Sequence, residues 1–413
     1  MANIVPFPGV RPKQELAAKI AAVPYDVIER AEATEIAKQN PYTFLRIEKS
    51  EVDVDPAVSG YDASVYQKAA DNLREYVEKG WMIQDDAPCF YVYAQTMGKH
   101  HQIGLVAGAS VAEYQNNIIK KHEFTRKDKE DDRTNHVCKL HANTGPVFLT
   151  YKQKDSIDAI ISEICKGIPC YDFTSKEDEV RHTFWVVQDK ETIEKIQNEF
   201  AKVDCLYIAD GHHRSAAATR VCEIRKKDNP LHTGKEPYNF FLTVIFPDNQ
   251  MQIMAYNRFV HCLNGMTSEE FLAKVKEKFV VEATTESKPK QLHEITMFLD
   301  KQWYILKVKD ELLQNQDVVN QLDVSILQNN ILSPLLGIED PRTDERISFV
   351  GGIHGTPALE KAVLDHGQGV AFALYPVSIA ELMAISDAGK IMPPKSTWFE
   401  PKLKSGMIVK PLS

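Results

Sequence analysis

The sequence has no apolar run near the roughly 18 residues that a membrane-spanning helix needs. It has no Cys-x-x-Cys pair. Its seven cysteines, at 89, 138, 165, 170, 205, 222 and 262, are odd in number and scattered. Cys165 and Cys170 are the closest pair and could form a metal or redox pair, but free thiols in a reducing compartment are the expectation. The glycines form neither Gly-x-Gly-x-x-Gly nor Gly-x-x-x-x-Gly-Lys-Ser/Thr, and no His-Arg-Asp or Gly-x-Ser-x-Gly occurs. The common dinucleotide, P-loop, protein-kinase and lipase-type folds thus have no support. Positive charge is in deficit: 49 Lys and Arg against 58 Asp and Glu leave −9. That balance argues against general nucleic-acid binding and means that an anionic substrate needs a specific basic pocket. The opening Met1-Ala2-Asn3-Ile4-Val5-Pro6 lacks the basic and apolar regions of a secretory signal, so the expected location is cytoplasmic.

What is present is a soluble globular composition, 43% hydrophobic and 26% charged. A chain of 413 residues exceeds one ordinary core, so two or three domains are expected. The expected regions are 1–150, 151–235 and 236–413, with soft boundaries in the charged stretch 228–237 and near 310. Helical periodicity at 63–78 places Tyr66, Ala69, Ala70, Leu73 and Val77 on one side. Residues 43–47 look like a strand. Residues 89–96 and 101–111 suggest a hairpin, as do 295–299 and 302–307. Strands at 147–151, 182–187 and 205–209 alternate with helices at 156–165 and 190–201. This order predicts a mixed α/β fold. Residues 323–332 read as an apolar helix.

The most informative stretch is Leu206-Tyr207-Ile208-Ala209-Asp210-Gly211-His212-His213-Arg214-Ser215-Ala216-Ala217-Ala218. A short buried strand ends in an Asp-Gly turn, and an alanine-rich helix follows. The first-turn N–H groups of such a helix have no intrahelical partner and attract phosphate. His212, His213 and Arg214 add donors and positive charge there. Asp210 is either a helix cap or a magnesium or hydroxyl ligand beside the phosphate nest. The plain alternative is a strand–turn–helix corner with solvated polar residues.

Asp-Gly-His-His-Arg followed by small residues resembles the signature of free serine kinases of the ParB/sulfiredoxin-like superfamily. The resemblance implies a ParB/sulfiredoxin-like element around 180–226, embedded in a larger protein, that holds nucleotide phosphates through Gly211, His212, His213 and Arg214. No cysteine stands in the turn, which disfavours sulfiredoxin chemistry. Almost end to end, the chain also resembles a large bacterial family of uncharacterised proteins. That resemblance is carried by Val23-Pro24-Tyr25-Asp26-Val27-Ile28, Asn40-Pro41-Tyr42, Lys121-His122-Glu123-Phe124-Thr125, the Asp-Gly-His-His-Arg segment and Met392-Pro393-Pro394-Lys395-Ser396-Thr397.

By resemblance, His122-Glu123 supplies catalytic groups, with Glu123 as the carboxylate that takes the hydroxyl proton. The mixed-charge run 126–133 reads as a solvated loop or as a lid. In a lid, Lys129 and Arg133 would meet phosphate oxygens, and Asp131 and Asp132 would offer magnesium ligands. Asp26 reads as a turn residue that could meet a substrate amine. Lys395, after two prolines, could reach an anionic substrate. Adjacent His212 and His213 should diverge on a helix rather than chelate together. A zinc site from His122, His136 and His141 fits no standard spacing. The expected activity is phosphoryl transfer between free serine or O-phosphoserine and ATP or ADP with Mg2+, in serine metabolism. It would run in either direction or release phosphate to water. The rival is a ParB-like nucleotide-hydrolysing switch without a small-molecule substrate. Small molecules are the expected partners, with no nucleic acid and no membrane; a homodimer is left open.

Overall fold

The computed structural model describes every residue except 315. It is a mixed α/β protein that divides into two compact units. The first unit is Met1–Met251 with Pro401–Ser413, and the second is Gln252–Glu400.

A nine-stranded sheet forms the first unit. Its strands are β1 (Ile4–Val5), β2 (Phe90–Met97), β3 (His100–Ser110), β4 (Ile119–Lys120), β5 (Val147–Tyr151), β6 (Tyr171–Thr174), β7 (Arg181–Val187), β8 (Leu206–Asp210) and β9 (Phe240–Pro247). The order is β4-β8-β5-β9-β3-β2-β7-β6, and β1 pairs with β3. Only β8 with β4 and β9 with β5 run parallel. The hairpin predicted at 89–111 is β2–β3, with Tyr91 opposite Val106. Five helices bear on the argument: α1 (Ala63–Glu78), α2 (Lys127–Leu140), α3 (Asp155–Cys165), α4 (Lys190–Phe200) and α5 (His212–Asp228). Ala63–Glu78 has the predicted bounds, and Asp62 caps it by accepting from the Ser64 N–H.

The boundary expected near 235 does not divide the structure. Strand β9 lies between β5 and β3, pairing Thr243 with Val147 and Phe240 with Ser110. Its side chains from Phe241 onward are buried, so a cut at 235 would remove a central strand from the core. The chain returns to this unit after 400, where Lys410 pairs with Asn143. The strand expected at 43–47 is instead a single helical turn, Leu45–Glu48. The Asn40 turn feeds it: Asn40 O accepts from the Thr43 N–H, and Ile20 O accepts from the Phe44 N–H.

The second unit carries a six-stranded, wholly antiparallel sheet. The hairpin Glu294–Leu299/Gln302–Val308 turns at Asp300 and Lys301, both in the left-handed region at φ 49° and 64°. That is the geometry of a two-residue type I′ turn, built here without the usual glycine. Phe259, Phe298, Trp303 and Leu359 form its core. The apolar helix expected at 323–332 is α-helical only over Asp323–Leu327 and widens into a π-turn over Gln328–Leu332.

Candidate active site

Strand β8 is buried from Leu206 to Ala209 and emerges at Asp210. Gly211 then takes φ +101°, a left-handed conformation that glycine enters without strain. A Cβ there would also stand 3.2 Å from the Cζ and Nε atoms of Arg214. Gly211→Ala is therefore expected to cost about 1–3 kcal/mol, read as a lower urea midpoint at unchanged slope. Helix α5 starts at His212 with no side chain capping it. Small residues from Ser215 to Ala218 are buried, which lets the helix lie close to its neighbours, α2 among them. Gly211 O accepts from the Ser215 N–H at 3.0 Å, so the helix ladder begins there. The first-turn N–H groups point toward the Asp210 end, where they and the dipole favour an anion.

Two cations, Lys402 and Arg214, and two acids, Asp210 and Asp26, meet at this corner. Lys402 Nζ is 3.4 Å from Asp210 Oδ2, and Arg214 Nη2 is 3.7 Å from the same atom. Burial alone would raise the Asp210 carboxyl, but Lys402, Arg214 and His212 hold it well below the usual carboxylate range. Arg214 Nη2 also lies 4.0 Å from Asp26, and its Nη1 donates to Pro146 O. The Arg214 side chain is only 10% exposed, so it is built into the corner rather than free in solvent. His213 Nε2 accepts from the Arg126 N–H at 3.1 Å, tying the 120s loop to α5.

His122 and His212 meet edge to face, with ring centroids 4.4 Å apart. His212 Nε2 accepts from the His122 N–H, and Nδ1 lies 3.8 Å from Glu123 Oε2. One ligand-type atom from each of His122, Glu123 and His212 lies within 4.8 Å of the others. This donor set suits zinc, manganese or iron better than magnesium, which prefers oxygen. It differs from the histidine trio weighed from the sequence. His122 and His212 come from segments 90 residues apart, so no local spacing reveals the pair.

Burial pushes His122 down to about 4, with Asp210 opposing in part. An unfolded histidine takes its proton near 6.5. As pH falls from 6.5 toward 4, the unfolded chain therefore binds a proton that the folded chain refuses. The contribution of His122 to stability is intact above pH 6.5. It falls by at most about 1.4 kcal/mol per pH unit below that, down to about pH 4. Urea unfolding should show the wild type losing more stability than His122→Gln between pH 7 and 5. Parallel curves would count against it.

The other sequence candidates are dispersed. Of the run 126–133, Arg126 is the N-cap and Lys127 onward forms the start of α2. Within it, Asp132 and Arg133 are buried and pair with each other, Arg133 Nε lying 2.9 Å from Asp132 Oδ2. Tyr66 donates to Asp132 Oδ1 at 2.9 Å. With both oxygens engaged, Asp132 does not fit a magnesium site. Asp131 pairs with Arg220 at 2.7 Å. Lys129 donates to Tyr61 at 3.0 Å on the surface. Arg133 instead lines a cavity with Tyr25, Glu48, Gly145 and Arg214. Asp26 is exposed beside Arg214. Lys395 belongs to the second unit, with Nζ 5.6 Å from the Tyr256 ring centroid. Glu48, Tyr25 and Lys402 were not anticipated. Glu48 lies one residue past the strand expected at 43–47, and Lys402 meets Asp210 across 192 residues.

The model of one protein family, described as a protein of unknown function (DUF1015), matches residues 4–325. The chain belongs to the DUF1015 family. No curated protein matches this DUF1015 chain. Among solved structures, it is similar to SbnI with a C-terminal truncation from Staphylococcus aureus. That match has 13% identity and a TM-score of 0.38, and covers 74% of this chain and 87% of that one. A mutant free serine kinase in complex with ADP matches at 13% identity and a TM-score of 0.35, over 73% of this chain and 89% of that one. A conserved hypothetical protein from Pyrococcus furiosus matches at 14% and 0.34, over 74% and 95%. Among the described residues no helix is long and apolar enough to cross a membrane.

Proposed function

We propose that this protein transfers a phosphoryl group between an adenine nucleotide and free serine or O-phosphoserine. The observation that carries the reading is the placement of Glu123 beside His212, the first residue of an uncapped helix, at 3.8 Å. A phosphate-attracting helix start and a half-buried carboxylate thus face one another, and phosphorylating a hydroxyl needs both. The Asp210–Arg214 corner is also the segment that resembles the free serine kinases.

In the kinase direction the serine hydroxyl oxygen forms a bond to the terminal phosphorus of the nucleotide. The bond from that phosphorus to the bridging oxygen breaks, and the hydroxyl proton passes to Glu123. In reverse, O-phosphoserine gives its phosphoryl group to a nucleotide diphosphate, or to water. The N–H groups at the start of α5, with Gly211, His212, His213 and Arg214, hold the nucleotide phosphates. Buried, neutral His212 keeps the Glu123 carboxylate in place. Asp210 is the carboxylate that would hold Mg2+, which would neutralise charge on the phosphate oxygens. Lys402 and Arg214 keep Asp210 ionised for that role.

The test is nucleotide turnover by the full chain with and without added serine and O-phosphoserine. Turnover that depends on either compound is the expected result. Turnover indifferent to both would replace this reading with the nucleotide switch.

A further inference from the structure

The cavity that Arg214 lines carries buried polar atoms without hydrogen-bond partners. Glu48, at the end of the turn Leu45–Glu48, is 3% exposed. Its Oε2 accepts from Arg133 Nη1 at 3.2 Å. Its Oε1, equally buried, has no hydrogen-bond partner. Arg214 lines the same cavity, and its Nε is likewise buried without an acceptor. Orphaned buried polar atoms are costly, and doubly so when charged. Gly145 leaves the space open. A Cβ on it would stand 3.4 Å from Glu48 Oε1 and 3.5 Å from Arg214 Cδ. Arg133 is fixed in turn, with Tyr25 on its face at 3.9 Å and Asp132 on its Nε, so it holds Glu48 rigidly.

We infer that this cavity binds the zwitterionic end of a free α-amino acid, with the ammonium on Glu48 Oε1 and the carboxylate on the Arg214 side. The charge pattern selects that class. A simple anion would face Glu48, and a simple cation would face two arginines. A zwitterion supplies a donor and an acceptor together, and ligands lacking either are rejected by the group left unpaired. Glu48 is thus a binding residue that determines specificity. Arg214 bridges this cavity to Asp210, so an amino acid seated here would present its side chain toward the phosphate nest. The identity of that amino acid as serine rests on the proposed function.

The test measures binding of L-serine, O-phospho-L-serine, glycerate and ethanolamine by titration calorimetry. It uses the full chain as wild type, Glu48→Gln and Gly145→Ala. Glycerate lacks the ammonium and ethanolamine lacks the carboxylate. The Gly145→Ala methyl makes ordinary contacts, so that variant should fold as the wild type does while filling the space before Glu48. The wild type should bind an amino acid at least 10-fold more tightly than either analogue. Both variants should lose at least 10-fold in amino-acid affinity, with nucleotide affinity within 2-fold of wild type. Glu48→Gln should also cease to discriminate against glycerate. Unchanged amino-acid affinity in folded Gly145→Ala and Glu48→Gln would overturn the inference, even if phosphoserine is turned over. Glu48-dependent amino-acid binding without any turnover would uphold it while removing the proposed function.

Discussion

Arg214→Met is expected to lower the stability of the folded protein by about 2–4 kcal/mol and to abolish measurable nucleotide binding together. The guanidinium is nearly buried, donates to Pro146 O and lies within 4.0 Å of Asp26 and Asp210. Removing it leaves Asp210 with Lys402 and His212 only as the groups that favour its charge. The estimate stands below the ~3–5 kcal/mol of a fully buried broken pair because both carboxylates keep access to water. Arg214→Lys keeps a charge but cannot bridge three acceptors, so it should recover part of the stability and little of the binding. Urea unfolding and nucleotide titration on the same preparations separate the two effects. Full stability with lost binding would mean that Arg214 acts on phosphate only. Full binding in a destabilised variant would remove it from the phosphate site.

Glu123→Gln should lower the rate of phosphoryl transfer by about 10²–10⁴-fold while nucleotide affinity stays within about 2-fold. The amide keeps the size and can still meet His212, but it cannot accept the hydroxyl proton. The half-exposed position of Glu123 makes a large loss of stability unexpected. Single-turnover measurements on the wild type and the variant give the decisive comparison. Normal turnover in Glu123→Gln would move the base elsewhere.

The corner that carries these predictions could be read from the sequence because its signals are local. An apolar run, Asp-Gly and an alanine-rich segment are contiguous, and the structure turns them into β8, Gly211 and α5. Ala63–Glu78 was legible for the same reason, being long, periodic and capped. Glu48 was not legible. A four-residue helical turn is too short to show a 3.6-residue period, and Thr43, Phe44 and Ile47 favour a strand when judged alone. The run 126–133 misled in the other direction. Its charge suggests solvent, but Asp132 and Arg133 find Tyr66 and Glu48 far along the chain and are buried by them. The pairing of Lys402 with Asp210 depends on the chain returning to the first unit after residue 400, and no local pattern announces it. The domain boundaries failed for a similar reason. A charged loop at 228–237 looks like a linker, although β9 beyond it completes the sheet begun before it.

Phosphoryl transfer by this protein is tested by phosphorus NMR of the purified chain with O-phospho-L-serine and magnesium, in parallel with ADP, ATP or no nucleotide. Loss of the phosphoserine signal is expected, with a nucleoside triphosphate or free phosphate growing in its place. Unchanged phosphoserine in all three tubes, and no phosphoserine formed from serine with ATP or ADP, would contradict that transfer and leave the helix start as a site that binds nucleotide without transferring phosphate.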